Sequence, residues 1–144
     1  MQKLLLDTNV VCELMRDEPN FTVLNWFMKN DNQILFSCAV TKAEILLGVA
    51  LMPEGKRKQA LAKDTELTFS EDFKNECLPF DANAAAYYAF VVSSRKAIGR
   101  PIDMADAQIA AIALNQNLTL VTRNVKDFEQ IEGLTLINPW QPQN

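Results

Sequence analysis

The sequence predicts an α/β fold in which helices flank a parallel sheet. Leu4, Leu5 and Leu6 form an apolar run without alternation, which is typical of a strand buried on both faces within a parallel sheet. Similar short apolar runs alternate with helical patterns along the chain, as they do in layered α/β folds. The 144 residues suit one domain, and the 49% hydrophobic content indicates a sizeable core rather than disorder.

Capping and turn residues place the helices of the first half. Asp7 or Thr8 caps the first helix, Pro19 begins the second, and Thr41 opens the third, which Pro53-Glu54-Gly55 closes. After the first strand we therefore predict helices at 8–15 and 19–29, a strand at 34–37, and helices at 41–52 and 56–67. The apolar face of the second helix comprises Phe21, Val23, Leu24, Phe27 and Met28.

The second half follows the same alternation. Asp81 or Asn83 caps a long Ala-rich helix that ends before Gly99, and Asp103 caps the helix after it. The predicted elements are a strand at 78–80, helices at 82–98 and 103–116, a strand at 118–122, a helical turn at 124–130 and a strand at 134–137.

Composition restricts the chemistry. The chain has no histidine, which excludes Ser-His-Asp and Cys-His catalysis and histidine-ligated zinc. Cys12, Cys38 and Cys77 are odd in number and widely spaced, which favours reduced thiols in a cytoplasmic protein. No apolar run could span a membrane, and no signal-peptide pattern is visible. The net charge of −4 counts mildly against nucleic-acid binding, although charge distribution matters more than the sum.

Asp7 and Glu44 are the first two candidates for a functional site. Asp7 ends the apolar strand, and ligands of open α/β sheets bind at the carboxyl edge. The alternative is that Asp7 only caps the next helix. Glu44 lies one turn into the helix after the second strand, where Thr41-x-x-Glu44 also matches a capping box. For Asp7 and for Glu44, taken one at a time, both the capping role and the functional role stay open.

Asp106 and Asn124 are the next candidates. Asp106 lies in the first turn of a helix whose dipole favours an acid there by about 0.3–1 kcal/mol. Asp103 already supplies the cap, so Asp106 is free to point elsewhere. Asn124 follows the fourth strand and would leave the same sheet edge as Asp7, with Asp127 as the competing choice.

The shared position of these acids is more informative than any one of them. Each lies just past a strand end, or in the first turns of a helix that enters the carboxyl edge. Three carboxylates near one another repel and need a cation. Oxygen ligands without imidazole suit Mg²⁺ or Mn²⁺, which can activate a water and offset charge on a scissile phosphate. The pattern therefore indicates phosphodiester hydrolysis.

Five segments together carry a family resemblance. LLLDTNVVCEL, SCAVTKAEILLGVALMPEGKR, LPFDANAAAYYAFV, GRPIDMADAQIAAIA and LVTRNVKDFEQIEGL resemble PIN-domain proteins of the VapC/FitB toxin type, in the family's order and from Lys3 to Trp140. The resemblance implies a single PIN domain over 1–144 with a five-stranded parallel sheet in the order 3-2-1-4-5. It also implies an Mg²⁺- or Mn²⁺-dependent endoribonuclease, the toxin of a type II toxin–antitoxin system.

The resemblance also assigns roles to residues. The family's acids, which are catalytic and metal-binding, fall on Asp7, Glu44 and Asp106. A fourth acid that the family often has is replaced by Asn124, which puts a second metal in doubt. Supporting roles fall on three more residues: Thr8 and Thr122 as hydroxyls that orient the acids, and Asp127 as a possible substitute for the missing fourth acid.

RNA and protein partners complete the prediction. Arg100 and Arg123 are the candidate RNA-binding residues, and Arg100 belongs to one of two basic clusters that could also be solvated helix faces. The other members of these clusters are Lys56, Arg57, Lys58, Arg95 and Lys96. The resemblance implies a cognate antitoxin, a homodimer, and operator DNA bound through the antitoxin.

Two other functions compete with the ribonuclease. A phosphatase with an Asp nucleophile needs a second acid two residues after Asp7, where the chain has Asn9. The other is a catalytically silent PIN module that acts mainly as an antitoxin-bound DNA-regulatory partner.

Overall fold

Five short parallel strands form one sheet in this computed structural model, which describes residues 1–142. The strand order is β3-β2-β1-β4-β5. The strands are β1 Gln2–Leu6, β2 Gln33–Cys38, β3 Cys77–Leu78, β4 Thr119–Val121 and β5 Leu136–Ile137. The predicted order and parallel pairing are confirmed.

Two α-helices lie between each of the strands β1, β2 and β3 and the strand that follows it in sequence. They are α1 Thr8–Met15, α2 Phe21–Lys29, α3 Ala39–Ala50, α4 Lys56–Leu67, α5 Ala82–Ala97 and α6 Met104–Gln116. A π-helical turn, Thr68–Asp72, follows α4, and a 3₁₀ turn, Val125–Asp127, follows β4. In residues 1–142, no helix is long and apolar enough to cross a membrane. The last two residues of the predicted 1–144 domain lie outside the described part.

The central strand β1 is buried on both faces, as its unbroken leucine run predicts. Leu5 packs on one side against a core built from α5 and α6, and Leu4 and Leu6 pack on the other against α1. All three leucines are fully buried. The register pairs Leu6 with Val121 of β4, so the carboxyl ends of these two strands lie side by side. The sheet therefore delivers Asp7 and Thr122 to one edge.

Two helix starts differ from the sequence-based prediction. The second helix begins at Phe21, because Asn20 accepts hydrogen bonds from the N–H groups of Thr22 and Val23. The third helix begins at Ala39, so Thr41 lies inside α3 instead of capping it. The apolar face predicted for the second helix is also partly wrong: Val23 is buried, but Phe21 and Met28 are 80% and 74% exposed.

Candidate active site at the carboxyl edge of the sheet

Asp7 is almost completely buried and held by three donors. The Thr122 hydroxyl donates to Asp7 Oδ2 at 2.8 Å, the Thr8 N–H donates to Oδ1 at 2.8 Å, and Asn9 Nδ2 donates to Oδ2 at 3.1 Å. Asp7 is also the N-cap of α1, so the capping role and the site position coexist. Burial raises the pKa of Asp7, the Glu44 carboxylate raises it further, and the three hydrogen bonds act in the opposite direction.

Asn9 belongs to this site, although the sequence analysis did not assign it a role there. Its side-chain amide donates to Asp7, and its Oδ1 accepts the N–H of Arg123 at 3.2 Å. Asn9 thereby ties the start of α1 to the segment after β4. The signal that could have identified it is the Asp-x-Asn spacing at a buried strand end, where an amide can bridge two neighbouring connections.

Glu44 points to α1 and not to the start of its own helix. Its Oε1 accepts the Thr8 hydroxyl at 2.7 Å. The Thr8 oxygen also lies 3.0 Å from the buried Thr41 hydroxyl, so one short chain of side chains joins α3 to α1. The capping-box alternative is wrong, because α3 begins two residues before Thr41.

Asp106 has a different environment. Asp103 caps α6 by accepting the Asp106 N–H at 2.8 Å, as predicted. Within residues 1–142, no donor lies within hydrogen-bond distance of the Asp106 carboxylate. Burial raises the pKa of Asp106 to about 7, and the carboxylates of Asp103, Asp7, Asp127 and Glu44 contribute in that order. Asp106 therefore lies among acids and has no compensating partner.

The segment after β4 supplies Thr122, Asn124 and Asp127. Besides donating to Asp7, the Thr122 hydroxyl accepts the Asn124 N–H at 3.1 Å, which fixes how the chain leaves the sheet. The Asn124 side chain is exposed and makes no capping hydrogen bond. Asp127 is also exposed, but its carboxylate acts on the pKa of Asp106. Asp127, unlike the uncharged Asn124, therefore interacts electrostatically with Asp106.

The two candidate RNA-binding arginines differ in how far their guanidinium groups are engaged within the protein. The Arg100 guanidinium donates to the carbonyl of Lys126 at 2.9 Å and to Gln130 Oε1 at 3.2 Å, and it pairs with Glu129 at 3.5 Å. Arg123 is exposed, and its guanidinium lies 5.1 Å from the centre of the Trp140 ring. RNA binding stays a prediction for both, and Arg123 is the one with its charge at the surface.

The basic clusters named from the sequence are partly engaged in the fold itself. Arg95 is only 3% exposed, which is incompatible with the solvated helix face that was one interpretation of its cluster. Lys58 pairs with Glu54 at 2.6 Å and donates to the Ala50 carbonyl. Lys56, Arg57 and Lys96 are exposed.

The donors at this edge are carboxylate, amide and hydroxyl oxygens, which suit a hard divalent cation. Burial, and to a lesser degree repulsion between the carboxylates, raises the pKa values of Asp7 and Asp106, and such a cation would offset that repulsion. In the described range 1–142, however, no three acidic or cysteine side chains stand close enough to hold one metal ion together. The structure brings Asp7, Glu44 and Asp106 to one edge as electrostatic neighbours, without joining them in one set of ligands.

Comparisons with known proteins agree on one family. The model of the PIN domain matches residues 4–134. The chain is 37% identical to VapC ribonuclease Y4jK of Sinorhizobium fredii, covering 96% of this chain and 99% of that protein. It is 39% identical to Toxin FitB of Neisseria gonorrhoeae, covering 95% and 98%. The solved structure of FitAB bound to an IR36 DNA fragment superposes with a TM-score of 0.85 at 37% identity, covering 98% of each chain.

Proposed function

Because the chain belongs to the PIN domain family, we propose that it is a metal-dependent endoribonuclease that hydrolyses RNA phosphodiester bonds. The observation that carries the proposal is the environment of Asp106, a half-buried acid among four other carboxylates with no donor of its own in residues 1–142. Such an arrangement is unfavourable in a protein that only binds a partner, and it is what a cation site requires.

Asp7 and Asp106 would hold the metal, and Glu44 would complete the set of acids. Mg²⁺ or Mn²⁺ is the ion expected from ligands that are all oxygen. When bound, the metal supplies activation of a water and electrostatic stabilisation of the charge that develops on the phosphate. With its pKa raised to about 7, the Asp106 carboxyl group is about half protonated at neutral pH, and a bound cation would favour its ionised form.

The remaining polar side chains orient the acids. Thr122 and Asn9 fix the position of Asp7 and favour its ionised form through hydrogen bonds to Oδ2. Thr8 holds Glu44 by its hydroxyl and Asp7 by its N–H, so one residue aligns two acids. Arg123 would contact an RNA phosphate or base, and its exposed guanidinium beside the Trp140 ring supports this role.

The biological role follows from the relatives. We assign the chain as the toxin of a type II toxin–antitoxin pair, on its similarity to Toxin FitB and to the FitAB complex with DNA. The expected partners are a cognate antitoxin, a second copy of the chain in a homodimer, and operator DNA bound through the antitoxin. The expected setting is the cytoplasm, where the three free cysteines would stay reduced.

One observation favours an alternative function, a catalytically silent PIN module that binds antitoxin and regulates DNA. Glu44 is occupied by Thr8, and no group of three acids within residues 1–142 is assembled to hold a metal. The two functions differ in whether the purified chain cleaves RNA when a divalent cation is supplied.

The test is cleavage of a mixed RNA substrate with Mn²⁺ or Mg²⁺, compared with EDTA. The variant is Asp7→Asn, and the matched control is Asp81→Asn, because Asp81 is likewise a helix N-cap that accepts an N–H. We expect cleavage by the parent and by Asp81→Asn with metal only, and none by Asp7→Asn. Absence of metal-dependent cleavage by the folded parent would favour the silent module.

A further inference from the structure

A buried arginine joins the two segments that deliver acids to the site. Arg95, near the end of α5, donates from Nε to the carbonyl of Arg100 at 2.7 Å and from Nη1 to the carbonyl of Asp127 at 2.8 Å. Its side chain is buried. Among residues 1–142, no carboxylate lies within ion-pair distance of Arg95.

Arg100 reinforces the same connection. Its N–H donates to the Arg95 carbonyl at 2.9 Å, in a turn that Gly99 makes possible with a φ of +73°. Arg95 and Arg100 are therefore bonded to each other in both directions. The Arg100 guanidinium then reaches the Lys126 carbonyl at 2.9 Å, on the same turn that Arg95 reaches at Asp127.

The joined segments are the two that determine the position of Asp106 relative to Asp127. Residues 99–103 lead directly into α6, whose first turn carries Asp106. Val125–Asp127 is the 3₁₀ turn after β4, and its last residue is Asp127. The local bond from Arg95 to the Arg100 carbonyl would be enough to end α5. Arg95 also bonds Asp127, which lies 32 positions further along the chain. A buried guanidinium without an ion pair is also costly, so its hydrogen bonds to two separate loops point to a role beyond local stability.

We propose that Arg95, assisted by Arg100, is a positioning residue that holds Asp127 beside Asp106 and thereby sets the affinity of the site for a divalent cation. The proposal rests on the proposed function, because it assumes that these acids bind a metal. It assigns Arg95 and Arg100 to the protein's own architecture rather than to RNA. Arg95 acts through the main chain of Asp127 and touches neither substrate nor metal.

The first experiment measures Mn²⁺ affinity directly, from the paramagnetic resonance signal of free Mn²⁺ during titration of the full chain. Arg95→Met keeps the length of the side chain and removes its donors. The control is Glu13→Gln, because Glu13 is also buried and bonded, to Arg16 and the Asn20 N–H, but away from the acids. We expect about tenfold weaker Mn²⁺ binding in Arg95→Met, as for loss of other supporting groups, and parental binding in Glu13→Gln.

The second experiment asks whether Arg95 acts through Asp127. Asp127→Asn should weaken Mn²⁺ binding by itself, and adding Arg95→Met should weaken it no further, since both changes remove the same contribution. If the loss of Mn²⁺ affinity in the double variant equalled the sum of the two single losses, Arg95 would not act through Asp127.

Arg100→Gln covers the case in which Arg95→Met does not fold, because Arg100 is partly exposed at the surface. A positioning role predicts weaker Mn²⁺ binding in Arg100→Gln with an unchanged KM for RNA at saturating metal. A raised KM with parental Mn²⁺ affinity would instead establish RNA binding and overturn the proposal for Arg100. Parental Mn²⁺ affinity in every folded arginine variant would overturn it entirely, whereas a parent that binds no Mn²⁺ would remove the proposed function as well.

Discussion

Asp7 and Asp106 are two acids of one site that the protein treats differently. Asp7 is the more buried, and it receives hydrogen bonds from Thr122, Thr8 and Asn9. Asp106 is half-buried, has no donor in residues 1–142, and faces four carboxylates. Burial raises the pKa of both, but only Asp7 has hydrogen bonds that oppose the shift. Hydrogen bonds fix Asp7 in place without any ligand, whereas Asp106 would gain a compensating charge only from the proposed cation.

This difference shows which acids the proposed cation site would have to compensate. A site made only of well-bonded acids would keep its charges compensated and gain little from a metal. A site made only of uncompensated acids would destabilise the fold. Asp7, held rigidly just after the central strand, and Asp106, uncompensated on α6, confine this electrostatic cost to one helix. The following predictions test this division of roles, from the largest expected effect to the smallest.

Asp106→Asn should have the largest effect on cleavage. The amide is nearly isosteric but removes a ligand charge, so metal-dependent RNA cleavage should fall by about 100-fold or more, beyond the loss typical of supporting groups. The same change removes an uncompensated charge, so in EDTA at pH 8 the variant should melt at a higher temperature than the parent. Cleavage assays and thermal melts measure both effects.

The control for this substitution is Asp72→Asn, an exposed acid outside the site. It should leave both cleavage and the EDTA melt near the parental values. A folded Asp106→Asn protein that cleaves RNA at the parental rate would end the assignment of Asp106 to the site.

The second prediction concerns metal and pH together. Unfolded Asp106 ionises near its ordinary pKa of 3.8, whereas the folded value is about 7. Between these pH values the folded state keeps a proton that the unfolded state has released, so the free energy of unfolding of the metal-free protein decreases as pH rises towards 7. The raised pKa of Asp7 acts in the same direction.

Mn²⁺ should reverse this trend, because it binds only the folded state with its acids ionised. At 100 times its Kd, an ion adds about 2.7 kcal/mol to the free energy of unfolding. Melts with Mn²⁺ and with EDTA should therefore differ more at pH 8 than at pH 5.5, and the difference should shrink in Asp7→Asn. Equal melts in Mn²⁺ and EDTA at pH 8 would contradict a cation site.

Thr122→Val tests whether the hydrogen bonds that hold Asp7 in place contribute to stability and cleavage. Valine matches the shape of threonine but cannot donate to Asp7 or accept the Asn124 N–H. We expect a stability loss of about 1–3 kcal/mol from the loss of one of the three hydrogen bonds to the buried Asp7 carboxylate, and about tenfold slower cleavage. Thr65→Val is the matched control, since Thr65 is equally buried and its hydroxyl bonds only the Leu61 carbonyl within α4. Equal cleavage losses in the two variants would show a general packing effect.

The sequence predicted where the acids of this site lie along the strands and helices better than it predicted their side-chain contacts. The buried leucine run and the Asp103 cap fix where Asp7 and Asp106 lie, because strand burial and helix capping are local properties. Glu44 could not be separated from a capping box, because the true start of α3 depends on the chain leaving β2 at Cys38. The engagement of Arg100 with Lys126 and Gln130 joins distant segments, so no spacing along the chain could indicate it.

The smallest expected effect is that of Asn124→Ala, compared with Asp127→Ala. Asn124 occupies the position where the family often has an acid, but its side chain is exposed and makes no capping bond, and its N–H contact with Thr122 survives the substitution. Stability should therefore change by less than about 0.5 kcal/mol, and Mn²⁺ affinity by a factor of less than about two, because no charged ligand is lost. Asp127→Ala should weaken Mn²⁺ binding by about tenfold, as expected for a supporting carboxylate. Because the two residues share one short turn, a general loosening of that turn would affect both variants alike, and only a charge-dependent role separates them. Titration of both variants with Mn²⁺ decides the matter: equal losses in Asn124→Ala and Asp127→Ala would mean that the Asp127 carboxylate has no charge-dependent role of its own at the site.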